Sequence, residues 1–289
     1  MHTPVLLHES ITALEIKKGD VVVDGTFGGG GHSKEIADKF GKDVTLVCVD
    51  LDEEAETRFE SVMNGTGAVF VHDNYKNAKA ILEKSGQKRV NKVLLDIGTS
   101  SFQLDKDTRG FSFNSDSPIK MTLSKEGSHT GFDAYDIVNF WKEESIADII
   151  FYYGEETFAR VIAKAIVEAR ANAPIKTAKE LGDLIALKIK RKGRLHPATK
   201  TFQALRIAVN DELSVLKEAL SAWWEHLSPK GTMAIISFHS LEDRIVKRWM
   251  NDLSDDKRVI TKKPITPKEE ELKSNPRSRS AKLRIIEKP

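Results

Sequence analysis

The chain has 289 residues, enough for one large or two ordinary domains with a sizeable core. Its 40% hydrophobic and 30% charged residues describe a soluble globular protein, and the absence of any apolar run near the length of about 18 residues that spans a bilayer excludes a membrane protein. Cys48 is the only cysteine, which excludes an intramolecular disulfide and a cysteine-cluster zinc site and makes a reducing cytoplasm the expected setting.

The first residues, Met1 to Glu9, lack a basic region followed by a long apolar stretch, so a secretory leader is not expected. Net charge is +2, but it is unevenly spread. Leu184 to Arg206 carries seven Lys/Arg and no acid, and Lys257 to Pro289 carries eleven Lys/Arg against four Glu, so each segment is +7 and the rest of the chain is −12. Such segregation is the footprint of a phosphate-backbone partner or, alternatively, of solvated helix faces and a mobile tail.

Taken in chain order, the first hundred residues alternate strand and helix signals at the spacing of βαβ units. Val21 to Asp24, Val44 to Asp50, Ala68 to His72 and Val93 to Asp96 read as strands, with helices at Ser33 to Phe40 and Glu53 to Met63. Near-continuous apolar strands of this kind argue for a parallel sheet covered on both faces. Gln103 to Thr130, rich in Asp, Ser, Gly and Lys, reads as a long functional loop. Helical periodicity follows at Ala134 to Tyr153, Glu155 to Ala173 and Ala178 to Lys192, and again at Phe202 to Leu227. Gly231 to Phe238 returns to a buried strand, and Leu283 to Ile286 is a last one. The expected architecture is α/β: a Rossmann-like sheet domain, residues 1–104 and 201–289, interrupted after its fourth strand by a helical insertion, residues 105–200.

Chemistry begins at Asp24-Gly25-Thr26-Phe27-Gly28-Gly29-Gly30-Gly31-His32-Ser33. Glycines allow a sharp turn and close approach of a ligand, and the helix that follows offers unpaired amides. A dinucleotide fingerprint would need a third glycine where Ser33 stands, and a P-loop would need Lys where His32 stands. What remains is an acid-x-x-x-Gly-x-Gly loop, similar to that with which methyltransferases cradle the methionine part of their cofactor. Asp50, at the tip of the second strand, is placed to accept two ribose hydroxyls, or to cap the following helix. Tyr75, after the third strand, is a candidate adenine neighbour or a core residue. Asp96, after the fourth, faces the position of a transferable group or caps a turn.

Two further blocks are unusually specific: Arg194-Leu195-His196-Pro197-Ala198-Thr199-Lys200-Thr201-Phe202-Gln203-Ala204-Leu205-Arg206-Ile207-Ala208-Val209-Asn210 and Ser237-Phe238-His239-Ser240-Leu241-Glu242-Asp243-Arg244. With His2-Thr3-Pro4-Val5-Leu6, the glycine loop, Ser100-Ser101-x-Gln103-Leu104-Asp105, Arg109-Gly110-Phe111-Ser112-Phe113 and Asn275 to Arg284, they closely resemble the ribosomal RNA small subunit methyltransferase H family over nearly the whole chain. The resemblance implies a Rossmann-like methyltransferase domain with a helical insert, S-adenosylmethionine as cofactor and no metal. It implies methyl transfer to N4 of a cytidine in the decoding region of 16S rRNA within the small subunit. Carried onto matching positions, cofactor contacts fall on Gly30, Gly31, His32, Asp50, Tyr75, Asp96 and Gln103. Asp96 is the expected hydrogen-bond acceptor for the amine, with His239, Ser100 or Ser101 positioning the base; His239 could equally be a satisfied strand-end residue. No membrane partner is expected, and a homodimer is left open.

One stretch departs from the family pattern, where Lys120, Thr122 and Ser124 replace two acids and an arginine. If those residues usually form an ion-pair clasp, replacing all members together preserves the loop. Two other readings stand beside the methyltransferase: a nucleotide-dependent oxidoreductase, and a catalytically silent ribosome-binding factor that keeps the fold.

Overall fold

The computed structural model describes residues 4–98, 108–124, 127–190, 196–253 and 258–289. Expectations at Ser100, Ser101, Gln103 and Arg194 therefore lie outside the described residues. The chain divides into two compact units, Met1–Ser100 with Leu213–Pro289, and Ser101–Glu212. No helix among the described residues is long and apolar enough to cross a membrane.

Helices in chain order are α1 (Leu7–Leu14), α2 (Gly31–Phe40), α3 (Glu54–Val62), α4 (Ala78–Lys84), α5 (Ala134–Phe140), α6 (Glu143–Gly154), α7 (Ala159–Arg170), α8 (Ala178–Lys188), α9 (Thr199–Asn210), α10 (Glu212–His226), α11 (Ser240–Asp252) and α12 (Glu269–Ser274). The strands are β1 (Val21–Asp24), β2 (Thr45–Asp50), β3 (Val69–His72), β4 (Val90–Asp96), β5 (Leu227–Ser237), β6 (Arg258–Val259) and β7 (Lys282–Glu287).

The first unit is a seven-stranded sheet in the order β3-β2-β1-β4-β5-β7-β6. β1 to β5 pair in parallel, and β7 runs antiparallel to both β5 and β6. Alternation along the strands feeds two cores. Val23, Val47, Val49, Val93, Leu95 and Ile235 point into one, closed by the fully buried Trp223 of α10; Val22, Leu46, Cys48, Leu94 and Ile236 point into the other. Side chains alternate faces with period two, so a sheet covered on both sides reads as continuous apolar runs. The chain moves outward from β1 to β3 and then returns past β1 to β4. The carboxyl ends of β1 and β4 thus form the topological switch point at which open α/β sheets take their ligands.

The second unit is helical, α5 to α9 around a core that includes Ile137, Ile150, Ile166, Leu181 and Leu205. Two helices expected as single runs are each broken in two. Ala134 to Tyr153 breaks at the extended Trp141 into α5 and α6, and α5 is started by a capping box in which Asp133 and Asp136 exchange hydrogen bonds. Phe202 to Leu227 breaks at Asp211, which adopts φ 46° and ends α9. As a result α9 belongs to the helical unit, and the expected boundary at residue 200 moves to 212. Apolar periodicity ran through the break because α9 and α10 each bury a stripe, but in different cores.

The family motifs of this unit fasten one another. Phe113 stacks on His196 with centroids 4.1 Å apart and meets Phe202 edge-on. Asn210 donates to the Met121 carbonyl at 2.8 Å and accepts the Leu123 amide at 2.9 Å, while Arg109 donates to the Leu123 carbonyl at 2.7 Å. The loop carrying the departing residues is therefore clasped through its main chain. Lys120 is exposed and Thr122 is buried, so an acid at 120 with an arginine at 122 would bury a guanidinium here. Asn210→Ala is expected to destabilise the chain by about 2–4 kcal/mol, since it strands a buried carbonyl and an amide. Lys120→Asp should change stability by under ~0.5 kcal/mol. Urea unfolding of both variants checks the pair, and equal effects would refute the main-chain clasp.

Candidate active site

β1, β2 and β4 end in Asp24, Asp50 and Asp96, and the loop from Gly25 to Gly30 joins β1 to α2. That loop is tied to its neighbours through the main chain: Gly25 donates to Leu94 at 2.9 Å and Phe27 to Val49 at 2.8 Å. Gly30 has φ 77° as the residue capping α2, a backbone that a side chain would strain. At Gly31 a Cβ would lie 2.1 Å from Pro4 Cγ. Among these glycines the close approach is thus made by the protein itself, a use that composition could not distinguish from approach by a ligand.

Asp24 is buried and structural. Its Oδ2 accepts the Ser33 hydroxyl at 2.6 Å and its Oδ1 the Thr26 amide at 3.2 Å, and the Cys48 thiol donates to Ser33 at 3.2 Å. Burial raises the Asp24 carboxyl above its ordinary range, against the lowering effect of those bonds. Burial, followed by the neighbouring Asp24 charge, pushes the Cys48 thiol far up, so it stays protonated.

Asp50 holds the loop in place. Its Oδ2 accepts the Gly28 amide at 2.7 Å and its Oδ1 the Asp52 amide at 2.9 Å. Glu53, not Asp50, occupies the residue before α3, so the capping alternative does not apply to Asp50. Burial raises its carboxyl despite these two amides. Arg58 was invisible to sequence reasoning, being far along α3 with no motif around it. Its Nε donates to the Gly28 carbonyl at 2.9 Å while its guanidinium meets the buried Asp52 at 3.3 Å.

Asp96 stands at the switch point. Its amide donates to Thr26 Oγ1 at 2.7 Å, and its Oδ2 lies 3.9 Å from His32 Nδ1. Its Oδ1 is buried with no hydrogen-bond partner among the described residues. Burial pushes the carboxyl up to about 7, assisted by the charges of Asp24 and Glu242 and opposed by the Gly98 amide. A native structure rarely leaves a buried carboxylate oxygen unpaired, so this one calls for a partner such as a water or a bound group. His32 is itself buried, with Nε2 3.1 Å from the Val5 carbonyl.

Tyr75 follows β3, and the Trp223 indole donates to its carbonyl at 2.7 Å, fixing that turn. His239 lies past the end of β5, whose Ile236 is level with Asp96. It is the residue before α11 and forms a capping box with Glu242, its Nδ1 taking the Glu242 amide at 3.4 Å. Its proton therefore sits on Nε2, which lies 3.0 Å from Glu242 Oε1 but without the alignment of a hydrogen bond. The cap on α11 is what a strand-end residue would make, but the ring is only half satisfied, since Nε2 has no hydrogen-bond partner among the described residues. The structure thus brings Gly30, Gly31, His32, Asp50 and Asp96 to the carboxyl ends of β1, β2 and β4, with Tyr75 beyond β3 and His239 beyond β5.

Residues 1–289 match the model of a family described as the MraW methylase family. Among curated relatives, the ribosomal RNA small subunit methyltransferase H of Brevibacillus brevis is 43% identical over 311 residues, covering 99% of this chain and 98% of that protein. The protein of the same name from Clostridioides difficile is 44% identical over 309 residues, with coverage of 99% and 98%. Among solved structures, an rRNA methylase from Streptococcus thermophilus matches with a TM-score of 0.45 at 10% identity, covering 100% of this chain and 98% of that one.

Proposed function

The chain belongs to the MraW methylase family and is an S-adenosylmethionine-dependent methyltransferase, and from that premise we propose that it methylates N4 of a cytidine in the decoding region of 16S rRNA in the small ribosomal subunit. The observation that carries this reading is the unpartnered Oδ1 of Asp96 at the switch point. An amine nitrogen whose lone pair is delocalised into a ring needs acceptors for its hydrogens, which favour a more tetrahedral nitrogen. Methylation at a pyrimidine ring carbon would instead call for a nucleophile such as a thiolate, and the single thiol, Cys48, is buried and hydrogen-bonded to Ser33.

The residues present fit the cofactor: a carboxylate ends β2, and β4 ends in a carboxylate with one oxygen unpaired. Asp50 would hold the ribose hydroxyls, Gly30, Gly31 and His32 the amino-acid portion, and Tyr75 the adenine, with Asp96 completing the set. When bound, S-adenosylmethionine supplies an electrophilic methyl group on a sulfonium. Asp96 Oδ1 accepts an amine hydrogen, and a carboxyl that titrates near neutrality suits the uptake of the proton lost when the nitrogen is methylated. His239 is assigned to positioning, by starting α11 next to Phe238.

Tritiated methyl transfer to 30S particles, followed by nucleoside analysis of the digested 16S rRNA, tests the proposal. Label should appear as N4-methylated cytidine from the decoding region. Label in another nucleoside would overturn the substrate assignment, and cofactor binding with no transfer would favour the silent ribosome-binding factor.

The phosphate-contact reading narrows to particular side chains. Arg284 and Lys282 pair with Asp243 at 2.7 and 3.1 Å, and Arg206 pairs with Glu212 at 2.7 Å, so these three serve the fold. Lys188, Lys190, Lys262, Lys263 and Lys273 are exposed. Binding to ribosomal particles should weaken steeply with salt, and replacing these five by glutamine should flatten the log–log slope by about 0.7–0.9 for each phosphate contact removed. An unchanged slope would return them to the solvated surface. Cofactor affinity should stay the same.

A further inference from the structure

The glycine loop after β1 and Asp50 at the end of β2 are both held from α3. Three residues of that helix meet the loop or its anchor. Phe59 packs on the Phe27 ring edge-on with centroids 5.5 Å apart, and a Cβ at Gly30 would lie 3.2 Å from Val62 Cγ1. Arg58 reaches the main chain itself: its Nε donates to the Gly28 carbonyl at 2.9 Å and its Nη2 to Asp52 Oδ2 at 3.3 Å.

These bonds close a ring. Asp50 accepts the Gly28 amide on Oδ2 at 2.7 Å and the Asp52 amide on Oδ1 at 2.9 Å. Arg58 joins the same two residues a second time, through the carbonyl of Gly28 and the carboxylate of Asp52. The carboxylate of Asp50 is thus held by two amides whose own residues are tied together behind it.

A helix-surface ion pair is the plainer reading of Arg58, since Glu54 one turn earlier lies 3.8 Å from its Nη1. Burial favours the ring. The Glu54 side chain is 48% exposed, whereas those of Arg58 and Asp52 are 16% and 2% exposed. Withdrawing a guanidinium and a carboxylate from water is costly unless their geometry is well fixed, and the planar fork of arginine fixes two directions at once. A charge argument runs parallel to the geometric one. Burial raises the Asp50 carboxyl and its two amides lower it; of the charges nearby, Asp52 raises it further and Arg58 opposes that rise. Only an ionised carboxyl can accept a hydroxyl on each oxygen, so the guanidinium favours the form that a ribose requires.

We propose that Arg58 is a positioning residue for the cofactor: by tying the Gly28 carbonyl to the Asp52 carboxylate it closes the ring through Asp50 and sets that carboxylate before a ribose arrives. An acceptor ordered in advance gains affinity because less freedom is lost on binding. The effect on the cofactor rests on the assignment of Asp50 to the ribose given above; the ring itself does not.

The test uses the full chain. Hydrogen exchange at the Gly28 and Asp52 amides of the ligand-free protein reads the ring, and calorimetry with S-adenosylmethionine reads the site. Arg58→Gln should speed exchange at both amides by at least about tenfold and lower affinity by roughly three- to tenfold, with kcat at saturating cofactor within about twofold of wild type. On an Asp50→Ala background the same change should cost less than about twofold, because the group it positions has gone. Losses that simply multiply would overturn the proposal. So would unchanged exchange at Gly28, or unchanged affinity in Arg58→Gln where Asp50→Ala alone weakens binding. Arg58→Lys keeps a cation beside Asp52 without the fork, and it decides the matter if the glutamine variant does not fold: faster Gly28 exchange with weaker binding supports the ring, and wild-type behaviour in both contradicts it. A folded Asp50→Ala protein with unchanged affinity is the distinct result that would remove the ribose assignment, and the role of Arg58 toward the cofactor with it.

Discussion

Asp96→Asn is expected to lower the rate of methyl transfer by about a hundred- to a thousandfold while cofactor affinity changes by less than about threefold, because it removes an acceptor realised in the transition state. In the wild type Oδ1 is buried with no hydrogen-bond partner among the described residues, and an amide at this position cannot take up a proton. Since burial pushes the carboxyl to about 7, wild-type kcat should rise with pH through neutrality, and the variant should lose that limb. Single-turnover kinetics from pH 5.5 to 9 checks both statements, and a variant within threefold of wild type would remove Asp96 from the chemistry. Stability provides an independent reading. A carboxyl whose folded pKa lies above its unfolded value binds more protons in the fold, so stability is fully present below about pH 4 and declines as pH rises toward 7. The shift from 3.8 to about 7 corresponds to at most about 4 kcal/mol. Asp96→Asn should therefore unfold at a higher temperature than wild type at pH 8 and at the same temperature at pH 4.

Asp50→Ala is expected to weaken S-adenosylmethionine binding by roughly ten- to a hundredfold, the loss of about 1.5–3 kcal/mol of charge-assisted hydrogen bonding. The structure adds a second consequence. Both carboxylate oxygens already accept a loop amide, so the alanine variant also loosens Gly28 and Asp52. Asp50→Asn separates the two effects, since its single oxygen can keep one amide but cannot serve both amides and two hydroxyls. Calorimetry on both variants, with thermal unfolding to show that each is folded, decides the point. Unchanged affinity in a folded Asp50→Ala protein would remove the ribose assignment.

Much of the candidate site was legible because its residues sit at fixed places in a repeating pattern. Asp24, Asp50 and Asp96 each end an apolar run, and a polar residue that ends a buried parallel strand has to emerge at the carboxyl edge of the sheet. The glycine loop was legible as a loop, but its purpose was not. Whether Gly31 makes room for a ligand or for Pro4 depends on a residue that the chain brings back from its own beginning. Arg58 and Thr26 were missed for the same reason: each reaches the site through a hydrogen bond between its side chain and a main-chain group, the Gly28 carbonyl and the Asp96 amide, and such a bond leaves no pattern in composition or spacing.

The sequence by itself determined the alternation of buried strands with helices, the interruption after the fourth strand and the acids at three strand ends. These follow from local periodicity, since a strand buried on both faces and a helix buried on one must each repeat at their own spacing. Only the tertiary structure decided where the helical run from Phe202 to Leu227 breaks, because α9 and α10 carry the same kind of apolar stripe and differ only in the core that receives it. It also decided which basic residues are occupied: Arg284 on β7 and exposed Lys273 on α12 are alike as letters, and their charges are separated in role by Asp243, which lies within reach of the first. Above all it decided the state of Asp96. A carboxylate takes its character from what surrounds it, and the burial and neighbouring acids that raise its pKa are brought there by strands and helices far apart in the chain.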